Sequence, residues 1–174
     1  MIPIECQFDQ HGDAVLAIFN DAILNTTALY EYHPRTPAFI EAWFQAKRDG
    51  DFPVLGLVDD ASGRLMGFAS YGPFRPHAAY RYSVEHSVYV DRDFRQRGVA
   101  RCLMQALIAR AEAQQYHTLV GGIDASNAAS IALHEGLGFA HAGTVRQAGY
   151  KFGRWLDLAF YQRVLRTPET PVET

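Results

Sequence analysis

The segment Arg95–Arg101, with the sequence Arg-Gln-Arg-Gly-Val-Ala-Arg, constrains what this chain can fold into more than any other segment. It follows the β-branched run Ser87–Val90 and precedes an apolar stretch of helical periodicity that begins at Cys102. The first turn of a helix leaves backbone N–H groups without intrahelical partners, and the helix dipole adds partial positive charge there. Gly98 lets the backbone come close to a ligand. The pattern therefore predicts a strand, a turn and a helix, with a phosphate-binding site at the turn.

Composition and motif content narrow the class of protein further. The turn has neither the GxxxxGK nor the GxGxxG spacing, so it is not a P-loop or a Rossmann turn. A net charge of −3 over 174 residues argues against nucleic acid or an acidic membrane surface as a partner. Cys6 and Cys102 are too few for a disulfide framework or a zinc site. Since we find no signal-peptide pattern and no apolar run of bilayer length, we expect a cytoplasmic protein.

Apolar periodicity and turn residues predict the order of helices and strands. Helices are expected at about 10–25, from Thr36-Pro37 onward, at 99–115 and at 127–137, and strands at 53–58, 64–74, 82–90, 118–123, 139–147 and 155–165. This order predicts one α/β domain over residues 1–166, with a mixed, mostly antiparallel central sheet flanked by helices. The segment 167–174 has no core-forming residues and is expected to be a mobile tail.

Several segments that follow one another along the chain carry a family resemblance. They are Val88–Val90, Arg95-x-x-Gly98-x-Ala100, Asn127-x-x-Ser130-x-x-Leu133 and Gly138-Phe139. In this order they resemble the GNAT superfamily of acyl-CoA-dependent N-acetyltransferases over nearly the whole chain. The resemblance implies a GNAT-like α/β fold and acetyl-CoA as the co-substrate.

A second set of segments resembles a narrower branch of that superfamily. The set comprises Thr26-Thr27, Gly72-Pro73-Phe74-Arg75, Tyr80, Val84–Val90 and Lys151–Trp155. These segments look like the phosphinothricin acetyltransferases, bacterial enzymes that acetylate the α-amine of phosphinothricin, methionine sulfoximine or methionine sulfone. The resemblance implies a cytoplasmic enzyme that is often dimeric. Many GNAT enzymes have tyrosine where this chain has His134, whereas similar enzymes of the narrower branch also have histidine there.

The resemblance also implies which residues bind acetyl-CoA. The backbone of the strand end would pair with the amide arm of the cofactor, and the basic turn would hold its phosphate groups. The predicted cofactor contacts are Val88, Tyr89, Val90, Arg95, Gln96, Arg97, Gly98, Val99, Ala100, Arg101, Asn127 and Ser130. The alternative for the basic turn is an arginine-rich helix start exposed to solvent.

Acetyl transfer to an amine needs a group that removes a proton from the ammonium, but it needs no metal. Glu85 is the only acid within its apolar strand, and the resemblance makes it the general base; the alternative is a solvated or salt-bridged carboxylate. His134 is the candidate acid for the departing thiolate, unless it only packs on the helix surface or against the cofactor. His86 alternates away from Glu85 along the strand, which favours a structural role. A backbone N–H near Tyr89 or Val90 is the candidate oxyanion donor.

Substrate recognition should involve a cation, because the expected substrates are zwitterions with a further polar group. Arg75 is the first candidate, since guanidinium pairs bidentately with carboxylate or phosphinate; the alternative is an ordinary surface arginine. The aromatic residues Tyr30, Phe74 and Tyr80 are expected to line the pocket for the substrate side chain or, alternatively, to pack in the core. The predicted substrate contacts are Tyr30, Phe74, Arg75, Tyr80, Glu85, His86 and Ser87.

Together with these residues, the family resemblance implies an acetyl-CoA-dependent N-acetyltransferase that acts on a small amino-acid analogue by direct transfer in a ternary complex. Its expected partners are a small-molecule amine and a second copy of the chain in a homodimer. Two alternatives stay open: an enzyme that acetylates a protein or peptide amine, and a non-catalytic acyl-CoA-binding sensor. Consumption of acetyl-CoA with different amines distinguishes the three.

Overall fold

Capping residues and apolar periodicity set the bounds of the helices. The computed structural model describes residues 2–173, with helices α1 Phe8–Asn25, α2 Pro37–Asp49, α3 Val99–Ala113 and α4 Ala128–Glu135, and short 3₁₀ helices at Ala78–Tyr80 and Arg92–Phe94. Thr36 caps α2, because its Oγ1 accepts a hydrogen bond from the Phe39 N–H at 3.2 Å. Pro37, which has no N–H to satisfy, occupies the first helical position. The predicted start of α2 at Thr36-Pro37 is therefore confirmed.

The strands of residues 2–173 form one seven-stranded sheet. They are β1 Ile4–Glu5, β2 Val54–Val58, β3 Leu65–Pro73, β4 Ser83–Val90, β5 Thr118–Asp124, β6 Ala140–Lys151 and β7 Arg154–Val164, in the spatial order β1-β2-β3-β4-β5-β7-β6. β4 and β5 pair in parallel, with Ser83 opposite Thr118 and Glu85 opposite Val120. β5 and β6 both pair with β7 in antiparallel register. The sheet is thus mixed and mostly antiparallel, as predicted.

The chain divides into two compact units, and the first comprises the chain up to Tyr71 together with Ser87–Leu107. Its core is centred on the ring of Phe19, which lies 4.8 Å from the ring of Phe68 and 5.0 Å from that of Tyr89. The apolar stripes of α1 and α2 are buried in this core. The buried members of the cluster are Cys6, Val15, Ile18, Phe19, Ile40, Phe44, Val54, Leu65 and Phe68.

The second unit comprises Gly72–His86 and the chain from Ile108 onward. Its apolar core includes Leu119, Val120, Leu137, Phe139, Leu156, Ala159 and Tyr161. Near the end of the chain, Thr167 Oγ1 donates to the Tyr116 carbonyl at 2.5 Å. The Val172 N–H donates to the Tyr82 hydroxyl at 3.0 Å. The predicted mobility of the segment 167–174 and the predicted domain bounds of 1–166 stay predictions.

The predicted fold class is confirmed, although some element bounds differ. β1 and the two 3₁₀ helices are too short to give a periodic pattern, so sequence analysis missed them. β6 continues to Lys151 instead of ending near residue 147, because a two-residue turn at Phe152-Gly153 closes the hairpin. Both turn residues have positive φ angles, 51° and 74°, which suit the twist of a tight hairpin. None of the helices described has both the length and the apolar character that a membrane crossing requires.

Candidate active site

The backbone of the basic turn that follows β4 is uncovered at Gly98. In the first unit, β4 ends at Val90, and left-handed residues at Gln96 (φ 61°) and Gly98 (φ 78°) then redirect the chain into α3. The Gly98 carbonyl accepts the hydrogen bond of the Cys102 N–H at 3.0 Å, so α3 begins directly after the turn. Apart from its chain neighbours, no described atom lies within 4 Å of the point where a Cβ on Gly98 would be. A ligand can therefore approach this helix start closely.

The arginines of this turn differ in their contacts. Arg95 Nη2 lies 3.4 Å from Asp21 Oδ2, and Arg92 makes an ion pair with the same carboxylate. The Arg97 guanidinium lies 5.2 Å from the ring centre of Phe94, a cation–π distance. The predicted cofactor contacts Val99, which is buried, Ala100 and Arg101 lie in the first turn of α3. The turn thus presents both cationic side chains and a helix start, as a phosphate site requires.

The predicted contacts at the end of β4 are half-buried. Ser87, Val88, Tyr89 and Val90 are all in this intermediate state. The ring of Tyr89 packs in the first unit against Phe19 and, at 5.5 Å, against Phe68. Its side chain is therefore part of the core, which leaves the backbone as the part suited to contact a ligand. Tyr30 is half-buried in the connection between α1 and α2.

Four of the predicted residues form one cluster in the second unit. Arg75 Nη1 lies 3.9 Å from Glu85 Oε2, and the Arg75 guanidinium lies 4.1 Å from the ring centre of Phe74. The rings of Phe74 and Tyr80 meet edge to face at 5.8 Å. The Phe74 N–H donates to the Ser83 carbonyl at 3.2 Å, which holds this segment against the start of β4. The cluster places a carboxylate, a guanidinium and an aromatic surface side by side.

Glu85 is an accessible carboxylate with an altered pKa. Its side chain is 40% exposed and that of Arg75 is 47% exposed, so both groups can reach a ligand. Burial raises the pKa of Glu85 above its ordinary value, and the charge of Arg75 only partly offsets this. A carboxylate with a raised pKa is a better proton acceptor than an ordinary one.

His86 and His134 form a buried stacked pair. Their rings lie 5.1 Å apart at an interplanar angle of 17°, and each ring meets Phe139 edge to face at 5.2 Å. His86 is 6% exposed and His134 is 2% exposed. Burial lowers the pKa of His86 to about 3, and the charge of His134 contributes in the same direction. Burial also lowers the pKa of His134, although a hydrogen bond to Ser130 opposes this.

The contacts of His134 bear on its predicted acid role, which stays a prediction. Its Nδ1 lies 2.7 Å from the Ser130 carbonyl oxygen, an acceptor, so Nδ1 carries the proton and donates it there. In the neutral ring Nε2 then has no proton, and it has no hydrogen-bond partner within residues 2–173. The lowered pKa makes the protonated ring of His134 less populated near neutral pH than that of an ordinary histidine. His86 belongs to the same stack, and the structural role expected for it stays a prediction.

Two glycines of β5 give room to these side chains, and sequence analysis missed both. A Cβ on Gly121 would lie 2.8 Å from His86 Nε2 and 3.3 Å from His134 Nε2. A Cβ on Gly122 would lie 3.3 Å from Leu158 Cδ1 and 3.5 Å from Glu85 Oε1. Consecutive strand residues face opposite sides, so Glu85 and His86 lie on opposite faces of the sheet. The Gly121-Gly122 pair within a strand pattern was the available signal, because strand glycines often mark close approach.

Asn127 and Ser130 belong to the N-terminus of α4. Asn127 Oδ1 accepts a hydrogen bond from the Ser130 N–H at 3.1 Å, so the amide oxygen caps the helix. Asp124 Oδ1 accepts from the Ser126 N–H at 2.8 Å and so shapes the preceding turn. The two predicted cofactor contacts therefore lie at a helix start in the second unit. Among the residues that the structure describes, no group of three His, Cys, Asp or Glu side chains is placed to hold a metal ion.

An α/β sheet, a strand that leads into a basic turn at a helix start, and an accessible carboxylate of raised pKa are features expected of an acyltransferase with a phosphate-bearing co-substrate. The family model described as "Acetyltransferase (GNAT) family" matches residues 17–139. The chain therefore belongs to the GNAT family of acetyltransferases, in the acyltransferase class EC 2.3.1. Members of this family use acetyl-CoA.

Individual proteins show the same similarity. The chain is 50% identical over 148 residues to an L-methionine sulfoximine/L-methionine sulfone acetyltransferase of Pseudomonas paraeruginosa. The matched residues cover 85% of this chain and 86% of the relative. The structure of a proposed acetyltransferase from Acinetobacter baylyi matches with a TM-score of 0.97 and 53% identity over 99% of this chain and 96% of that one. A phosphinothricin acetyltransferase from Sinorhizobium meliloti in complex with acetyl-CoA matches with a TM-score of 0.92 and 30% identity, covering 98% and 91%.

Proposed function

We propose that this chain acetylates the α-amine of a small amino-acid analogue of the methionine sulfoximine, methionine sulfone or phosphinothricin type, with acetyl-CoA as the acetyl donor. The observation that carries the proposal is the Glu85–Arg75 pair, with 3.9 Å between carboxylate and guanidinium. An α-amino acid carries an ammonium and a carboxylate on one carbon, so it complements such a pair. The substrates in the names of the similar enzymes are of this kind.

The turn before α3 fits the phosphate groups of acetyl-CoA. Open space beyond Gly98 and the left-handed backbone at positions 96 and 98 leave the helix start accessible. Arginine side chains surround the same turn. Backbone N–H groups of the first helical turn and the guanidinium groups would hold the phosphates, while Val88–Val90 would offer backbone groups to the amide arm.

The chain's own groups would perform the remaining steps. Acetyl-CoA supplies the acetyl group as a thioester. Arg75 would orient the substrate through its carboxylate or phosphinate, and the Phe74 ring would line the substrate side chain. Glu85 would accept a proton from the ammonium, directly or through a water, so that the nitrogen lone pair can attack the thioester carbonyl in a ternary complex. The C–S bond would then break, and coenzyme A would leave as a thiolate that takes up the second proton released by the nitrogen. A cytoplasmic location and a homodimer belong to the same proposal, on the basis of the family resemblance.

Thiol release from acetyl-CoA tests the proposed function. The amines would be methionine sulfoximine, methionine sulfone, phosphinothricin, common amino acids and a lysine-containing peptide. We expect turnover with the first three and a loss of about 100-fold or more in kcat/KM for Glu85→Gln, the size of a typical general-base contribution. Glu41→Gln, at an exposed position of α2, is the matched control and should keep wild-type activity.

Other results would point to the two alternatives. Turnover with the peptide alone would identify a protein acetyltransferase. Binding of coenzyme A without turnover of any amine would identify a sensor. Full activity of Glu85→Gln with the sulfoximine would leave the substrate class in place and remove Glu85 as the base.

A further inference from the structure

Asp21 on α1 contacts two arginines at the start of the basic turn. Its Oδ1 receives Arg92, and its Oδ2 lies 3.4 Å from Arg95 Nη2. Asn25 Nδ2 also donates to Oδ1, at 2.8 Å. The Asp21 side chain is 18% exposed, whereas those of Arg92 and Arg95 are 62% and 49% exposed. The carboxylate therefore lies beneath two guanidinium groups that still face solvent.

The charges of this trio leave the arginines able to bind an anion. Burial raises the pKa of Asp21, but hydrogen bonds from Arg92 and Asn25 and the charges of both arginines outweigh it, and the net pKa is lowered. Asp21 is therefore ionised at neutral pH, and two guanidinium groups on one carboxylate leave one positive charge in excess. A guanidinium has five N–H donors, so donors remain for a phosphate.

We propose that Asp21 is a positioning residue that holds Arg92 and Arg95 ready to bind the phosphate groups of acetyl-CoA. This inference rests on the proposed function, since it assigns a phosphate ligand to the turn. Free arginine side chains lose conformational freedom when they bind a ligand, and holding them beforehand reduces that cost. Asp21 itself touches no phosphate and acts through the two arginines.

A simple charge effect would have the opposite sign. Without positioning, removal of a carboxylate near an anion site should strengthen anion binding. The same turn offers a matched control, because the ion pair of Asp93 is with Arg64, at 2.8 Å, and the charge of Asp93 acts on Arg92 only at longer range. Asp91 lies on the same Arg64 at 3.1 Å, so two carboxylates share that cation. Asp93→Asn thus removes an equal charge from the turn without releasing a predicted phosphate ligand.

The test is a comparison of Asp21→Asn with Asp93→Asn in steady-state kinetics and in calorimetric titration with coenzyme A. For Asp21→Asn we expect a rise of about three- to tenfold in the KM for acetyl-CoA and in the Kd for coenzyme A, the loss that follows when a charge-assisted contact is weakened. Its kcat and its KM for the amine should stay within about twofold of wild type. Asp93→Asn should leave the KM for acetyl-CoA unchanged or lower it.

A second pair of variants keeps the test independent of folding effects. In a background that lacks both guanidinium groups, Arg92→Gln with Arg95→Gln, the change Asp21→Asn should raise the KM for acetyl-CoA no further. An unchanged or lowered KM for Asp21→Asn in the active enzyme would overturn the positioning role while the proposed function stands. Failure of the wild-type protein to bind coenzyme A at all would overturn both.

Discussion

The carboxylate of Glu85 is subject to two opposing influences. Partial burial disfavours its charged form and raises its pKa, whereas the guanidinium of Arg75 at 3.9 Å favours the charged form. Burial has the larger effect, so the net pKa lies above the ordinary value. Arg75 therefore has two roles in the proposed mechanism, because it binds the substrate carboxylate and also keeps Glu85 ionised at lower pH.

Replacement of Arg75 by methionine should move the acid limb of the activity profile to higher pH. The variant loses the charge that lowers the pKa of Glu85, so the base takes up its proton at a higher pH. The measurement is kcat/KM against pH with methionine sulfoximine for wild type and variant. The substrate titrates identically in both, so a difference in the midpoint reports on Glu85. Arg166→Met, at an exposed position, is the control. A variant that is weaker but has the wild-type midpoint would mean that Arg75 only binds substrate.

At the scale of the elements, two glycines of β5 leave room for side chains of the neighbouring strand β4. Strand glycines are unfavourable in general, because they lose more conformational freedom on folding and pack no side chain. Here Gly121 leaves room for the stacked imidazoles on one face, while Gly122 lies beside Glu85 on the other. A side chain at position 121 would therefore disturb the packing of the imidazoles, whereas one at position 122 would crowd the Glu85 carboxylate.

Alanine at Gly121 should be more harmful to stability than alanine at Gly122. A Cβ at Gly121 would lie 2.8 Å from a ring nitrogen of buried His86, which cannot move without disturbing the stack. We expect the free energy of unfolding to fall by about 1–3 kcal/mol for Gly121→Ala, the usual cost of overpacking. For Gly122→Ala we expect a change below about 1 kcal/mol, since the nearest atom belongs to a flexible leucine.

Urea unfolding of the two variants, with thiol release measured in parallel, provides the comparison. Gly122→Ala should fold nearly normally yet lose activity, because its methyl group would lie against the Glu85 carboxylate. Equal stability losses in the two variants would show that the imidazole stack can shift to accept a side chain.

Local signals along the chain were sufficient to predict most elements of this fold. Thr36-Pro37 marked the start of α2, and the apolar spacing after Val99 marked α3 because capping and helical periodicity involve neighbouring residues. β6 was predicted too short because nearly the whole strand up to Tyr150 is exposed and its second part has no apolar alternation. The strand is defined by its pairing with β7. Such pairing depends on a strand that comes later in the sequence.

The candidate site divides in the same way. Glu85 and Arg75 were found individually from strand pattern, charge and family resemblance, and the structure places them together. The stack of His86 on His134 and the ion pairs of Asp21 join residues far apart in sequence, so no local sequence pattern predicts them. The protonation of His134 could not be predicted either, because it depends on burial and on the Ser130 carbonyl.

At the scale of the whole molecule, the buried histidine pair links folding to pH. Burial lowers the pKa of His86 to about 3 in the folded chain, while an unfolded histidine titrates near about 6.5. Between these values the unfolded chain binds a proton that the folded chain does not. The free energy of unfolding therefore falls as the pH drops below about 6.5, and the stability is fully present above that pH. His134, whose pKa is also lowered, acts in the same direction.

His86→Leu should flatten this acid dependence. For a histidine that stays neutral in the fold, the free energy of unfolding falls by up to about 1.4 kcal/mol for each pH unit below about 6.5. The slope of the free energy of unfolding against pH should therefore be smaller in the variant by up to that amount, whatever the stability of the variant at neutral pH. Urea unfolding of wild type and variant at several pH values between 7.5 and 5 measures the slopes. The carboxylates contribute equally to both proteins, and His33→Gln, at an exposed position, is the control. A variant with the wild-type slope would mean that the imidazole of His86 becomes protonated within the folded protein, and the acid sensitivity would then have to come from other groups.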